Sequence, residues 1–103
     1  MDEVIKTQKL FQQMLKNDIT TQEFKTTCVM GLLEESMEAL KETPFKKHKK
    51  NQKFNRLNFI NELVDVQLYL LNLLLSCDVT WEEFRLDIER KQQINFDRQK
   101  NNY

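Results

Sequence analysis

A chain of 103 residues with one glycine and one proline lacks the punctuation that hairpins and multi-strand sheets require, so it reads as a single all-α domain spanning 1–103. Its 16 basic and 16 acidic residues cancel, which leaves no overall field to draw it to nucleic acid or to an anionic membrane. The longest apolar stretch, Leu68 to Cys77, is interrupted by Asn72 and Ser76 and is too short to cross a bilayer; no segment reads as a signal peptide, so the expected location is the cytoplasm.

The first helix is expected over about Asp2 to Lys16, with Ile5, Phe11, Met14 and Leu15 turned inward. Two later helix starts share one device. In Asp18–Phe24 and in Asp78–Phe84 a threonine (Thr20, Thr80) stands three residues before a glutamate (Glu23, Glu83), as in a capping box. The flanking pairs Ile19/Phe24 and Val79/Phe84 suit a hydrophobic staple.

The second helix then runs from Thr21 to about Glu42, where Thr43 and Pro44 end it, because proline disfavours a helical residue before it and has no amide to donate. A lysine-rich connector, Phe45 to Asn55, follows and is the segment least suited to packing. The third helix, about Arg56 to Ser76, is apolar on nearly every side and is expected to be surrounded by protein. The fourth runs from Trp81 to about Arg98, with fraying in the last residues. Cys28 and Cys77 sit inside apolar segments without metal-type spacing and are expected to be buried free thiols.

Chemistry concentrates on the second and third helices. Glu34, Glu35 and Glu38 fall within two turns, and Glu62 and Asp65 repeat the spacing among Phe59, Ile60, Leu63, Val64 and Val66. A buried carboxylate without a partner is costly, so several together call for cations. Hard oxygen donors with no neighbouring histidine or thiolate suit magnesium, with manganese as a second choice. A Glu-Glu-x-x-Glu run alone is usually a solvated face. Glu62 and Asp65 continue through Tyr69 and Asn72 as a narrow polar line on an otherwise apolar helix, and that line argues for a site, although pairing with lysines would also satisfy it.

Two stripes point the same way. On the second helix Phe24, Cys28, Gly31, Glu35, Glu38 and Glu42 form one face that turns from apolar to acidic. On the fourth, Trp81, Phe84 and Ile88 lead into Lys91, Asn95 and Arg98, donors suited to phosphate oxygens.

The run Gly31 to Leu40, with Glu34-Glu35-Ser36-Met37-Glu38, followed by Glu62-Leu63-Val64-Asp65, resembles the EExxE and ExxD signature of MazG-like nucleoside triphosphate pyrophosphohydrolases. Lys91, Asn95 and Arg98 resemble the Lys, Asn and Arg of that family's last helix. The resemblance implies a four-helix MazG-like fold assembled into an oligomeric bundle, a homodimer or homotetramer. It implies cleavage of a nucleoside triphosphate substrate to the monophosphate and pyrophosphate with Mg2+. Glu35, Glu38, Glu62 and Asp65 would be the metal ligands. Glu34 and Glu38 would be the catalytic pair, Glu34 binding a further ion or positioning the attacking water, and Lys91, Asn95 and Arg98 would hold the substrate. Met37, where many relatives carry a small residue, and the lysine-rich connector depart from the pattern without removing a ligand.

The competing expectation is a non-catalytic helical interaction module whose acidic face binds a basic partner. A carboxylate-bridged di-iron bundle fits less well, since such bundles use Glu-x-x-His pairs and the only histidine, His48, lies in the connector.

Overall fold

The computed structural model describes residues 1–101, which form four α-helices with no strand among them. These are α1 (Asp2–Met14), α2 (Gln22–Lys41), α3 (Arg56–Ser76) and α4 (Trp81–Lys100). The fraying expected at the C-terminus concerns residues that in part lie outside the described ones.

Side chains set three of the helix starts. Thr80 accepts from the Glu83 amide at 3.1 Å, as its capping box predicts. At α2 the cap lies one residue later than expected. Thr21, not Thr20, accepts from the Phe24 amide at 3.0 Å, because Thr20 is held by Asp18, to which its hydroxyl donates at 2.6 Å and its amide at 3.1 Å. Asn55 caps α3 through the Asn58 amide.

Two helix ends show how a chain with one glycine turns. After α1 the amides of Lys16 and Asn17 return to the carbonyls of Gln13 and Gln12; after α3 those of Asp78 and Val79 return to Leu75 and Leu74. Both are Schellman closures. Their left-handed residues are Lys16 (φ 59) and Asp78 (φ 55), where glycine is the usual choice.

The centre of the fold is α2 on α3, with α1 lying more lightly on α3. The connector starts at the end of α2 and returns beside it, the Asn55 amide donating to the Glu42 carbonyl at 3.1 Å. Its lysines are exposed as expected, but Gln52 gives the loop a shape by bonding the Lys46 amide and the carbonyls of Lys46 and Lys49. Helix α4 packs on no other helix to a comparable extent and buries no residue. The Cα radius of gyration is accordingly 17.2 Å, against about 13 Å for a globular domain near this length.

Three expectations are corrected. The inner face of α1 is Ile5, Gln8 and Gln12; Phe11, Met14 and Leu15 are exposed, because α1 turns its amides toward Asn72 on α3. Helix α3 is central but not enclosed within one chain. Leu71 and Asn72 are buried there, whereas Leu57, Ile60, Leu63 and Val64 are open. By length and composition alone α3 would pass for a membrane span, yet Glu62 and Asp65 lie in its first half. Cys28 is buried as expected; Cys77, at the C-cap of α3, is exposed.

Candidate functional site

Helices α2 and α3 run antiparallel. Descending α2, Glu42, Glu35, Gly31 and Cys28 meet Asn55, Glu62, Tyr69 and Asn72 in ascending order along α3. Glu62, Tyr69 and Asn72 of the polar line read on α3 therefore each have a counterpart on α2.

At the acidic end, carboxylate oxygens of Glu35, Glu62 and Asp65 all lie within 4.8 Å of one another. Glu35 and Glu62 are half-buried, and Asp65 is exposed. Burial, a hydrogen bond shared with Glu62 and the charges of Asp65, Glu62 and Glu38 together hold the Glu35 carboxyl above the usual carboxylate range.

Glu38 belongs to the neighbourhood but not to the cluster, for a geometric reason. Four residues beyond Glu35 bring Ala39 back within about 40° of it on the helical wheel, whereas three residues leave Glu38 about 60° to the other side. Ala39 is buried as a result, and Glu38 is exposed with Lys41 at 3.1 Å. Glu34 is exposed one position along from Glu35, outside the cluster.

Among the described residues, Glu35, Glu62 and Asp65 take part in no salt bridge. Glu38, Glu82, Asp87 and Glu89 are each paired with a basic residue on their own helix. Among the described residues, no lysine or arginine pairs with the acids where these three meet.

Lys91, Asn95 and Arg98 fall on α4 and are exposed, and no ion pair joins them to the acids. Within one chain they are not brought to the cluster, because α4 does not lie against the α2–α3 pair.

Gly31 stands one turn before Glu35, under the ring of Tyr69. A Cβ at Gly31 would overlap Tyr69 Cε1 and Cζ and come within 2.9 Å of Cδ1. The absent side chain lets that ring approach the backbone of α2.

Beyond Tyr69 the line ends in a buried amide network that sequence patterning did not single out. Asn72 Oδ1 accepts from Gln8 Nε2 at 2.8 Å and Gln12 Nε2 at 3.3 Å, and Gln12 Oε1 accepts from Asn17 Nδ2 at 2.7 Å. Asn72 also bonds Cys28, which offsets part of the rise that burial imposes on that thiol. The signal was present in Asn72 on an apolar helix and in two glutamines at spacing four on α1. No protein family, curated protein or solved structure matches the chain.

Proposed function

We propose that this protein is a cytoplasmic, magnesium-dependent nucleoside triphosphate pyrophosphohydrolase of the MazG-like kind. The observation that carries the proposal is the meeting of Glu35, Glu62 and Asp65 oxygens between two helices with no basic partner. A compact set of hard oxygen donors fits Mg2+ or Mn2+ in charge and in donor type. A divalent cation held there would supply neutralisation of triphosphate charge and acidification of a water molecule.

The remaining chemistry falls to the chain's own side chains. Glu35, Glu62 and Asp65 would hold the cation. Glu38 would be free to join them, since its exposed pairing with Lys41 is worth at most about 1 kcal/mol. Glu34, on the next position of α2, orients the attacking water and takes its proton. Water adds to phosphorus as the bond between the α and β phosphates breaks, and the nucleoside monophosphate and pyrophosphate leave. Lys91, Asn95 and Arg98 hold the phosphate oxygens.

For those donors to reach the acids, α4 must pack against a neighbour, and we propose a homodimer or homotetramer in which a second copy completes the site. The expanded shape of the single chain supports this, as do the open apolar side chains Met30, Leu33 and Met37 on α2 and Leu57, Leu63 and Val64 on α3.

The test is pyrophosphate release from a panel of standard and modified nucleoside triphosphates with Mg2+. The wild type should release it from at least one, and Glu38→Gln and Asp65→Asn should each abolish the release. A wild type that is inert across the panel and binds no divalent ion would favour the non-catalytic helical module.

A further inference from the structure

The connector between α2 and α3 concentrates positive charge and takes no part in the acidic cluster. Between Thr43 and Asn61 stand six of the sixteen basic residues, Lys46, Lys47, Lys49, Lys50, Lys53 and Arg56, and none of the sixteen acids. All six are exposed, and among the described residues none of them enters a salt bridge. Like charges crowded into so short a segment repel, and a free linker of this composition would extend to separate them.

This one is held closed instead. Its ends meet where the Asn55 amide donates to the Glu42 carbonyl at 3.1 Å, and inside it the Lys49 amide returns to the Lys46 carbonyl at 3.2 Å. The Gln52 carboxamide, half-buried, clamps the two halves by accepting from the Lys46 amide at 3.0 Å and donating to the Lys49 carbonyl at 2.9 Å. A surface loop closed at its ends and packed by its own side chains is an Ω-loop, a class frequently given over to function. The fold keeps the lysines together on one loop where repulsion alone would part them.

Neutrality of the whole chain does not cancel this charge. Screening at physiological salt limits the reach of an exposed charge to about 8 Å, so acids elsewhere act on the loop only where they lie close. Glu42, at its base, is half-buried. Whatever approaches the loop meets a positive surface, and charge complementarity requires an extended anion.

Two features choose among extended anions. Phe45 and Phe54, at the two stems of the loop, are 40% and 54% exposed. The Lys46 ammonium sits 5.9 Å from the centre of the Phe45 ring, and the Phe54 ring meets Phe59 edge-on at 5.5 Å. A ring that already carries a cation on its face is poorly placed to stack a base, which single-stranded nucleic acid would require. In addition, the loop from Phe45 to Asn55 contains no arginine, the side chain whose fork matches phosphodiester geometry, and no loop residue lines the clefts at α1 or α4. Lysines are flexible point charges that need no fixed partner geometry, and phenylalanines beside them suit the boundary between headgroups and acyl chains. A fluid bilayer bearing anionic lipid offers both.

We infer that the connector is a docking loop for an anionic membrane surface, with Lys46, Lys47, Lys49, Lys50 and Lys53 meeting lipid headgroups and Phe45 and Phe54 entering the interface. Attachment is peripheral and reversible, strengthening with anionic lipid content and weakening as salt rises. It is independent of the hydrolase reading, since no loop residue belongs to the acidic cluster.

Co-sedimentation of the full chain at physiological ionic strength tests this, with vesicles of phosphatidylcholine alone or with about one-third phosphatidylserine. The protein should bind the anionic vesicles and not the neutral ones, and added salt should release it. Near such a surface each lysine strengthens partitioning roughly 5-fold, so Lys47→Ala with Lys50→Ala should weaken binding roughly 25-fold. Phe45→Ala should weaken it roughly 5-fold, the share of a half-inserted ring. Lys6→Ala with Lys9→Ala removes the same charge from exposed positions on α1 and should leave binding unchanged. Both lysine pairs are exposed, so the melting curves of these variants should match that of wild type.

Failure to bind anionic vesicles would overturn the inference, and so would equal weakening by the two lysine pairs. Binding to oligouridylate with none to vesicles would overturn it in favour of single-stranded nucleic acid.

Discussion

Gly31 and Tyr69 are in ring-to-backbone contact: the tyrosine ring occupies the space where any larger residue at position 31 would place its Cβ. A glycine inside a helix costs about 1 kcal/mol relative to alanine, so on helix propensity alone Gly31→Ala should stabilise. Overpacking against an aromatic ring costs about 1–3 kcal/mol and opposes that gain. The expected outcome is a net loss of about 1 kcal/mol in urea unfolding. It should disappear when Tyr69 is also replaced by alanine, because the two positions share one contact. A stabilised single variant would mean that the ring does not rest on α2.

Asp78 closes α3 in a left-handed conformation that costs an L-residue about 1–2 kcal/mol. Glycine there removes the steric cost but adds freedom to the unfolded chain, so Asp78→Gly should stabilise by roughly 0.5–1 kcal/mol. Asp78→Val should destabilise, since a branched side chain fits this backbone region worst. Thermal unfolding of the two variants checks the sign of each.

Glu35 has its carboxyl raised by burial and by its acidic neighbours. A group whose folded pKa lies above its unfolded value binds its proton more tightly in the native state. Its favourable contribution is complete below the unfolded pKa and is lost as pH rises through the folded one. Metal-free Glu35→Gln, which cannot ionise, should therefore melt higher than wild type at pH 7, with the difference closing near pH 4. Adding Mg2+ should raise the wild-type midpoint at pH 7 and leave that of the variant almost unmoved. A variant that melts lower than wild type at pH 7 without metal would show that the acids are held by something other than mutual repulsion.

The sequence made the helices legible through propensity, punctuation and capping, and the acidic cluster through spacing. Glu62 and Asp65 interrupt an apolar helix, and three of the four acids read as ligands do converge. Glu38 stands beside the cluster rather than in it, paired with Lys41, because spacings of three and four look alike in a sequence, while on the helix they fall on opposite sides of Glu35. Capping-box spacing picks Thr20 as the cap in place of Thr21, since the choice depends on Asp18 capturing the first hydroxyl. The inner face of α1 was missed because apolar periodicity assigns Phe11 and Leu15 inward, whereas buried Asn72 requires donors and Gln8 and Gln12 supply them. Placing α4 is a question of tertiary contact that its own stripe does not answer.

Saturable Mn2+ binding, followed by electron paramagnetic resonance on wild type, Asp65→Asn and Glu82→Gln, tests most directly whether the unpaired acids form a cation site. Glu82 serves as the control because Arg85 already neutralises it. Wild type and Glu82→Gln should bind Mn2+ alike and Asp65→Asn should lose the site. Binding that is absent from wild type, or equal in all three proteins, would contradict it.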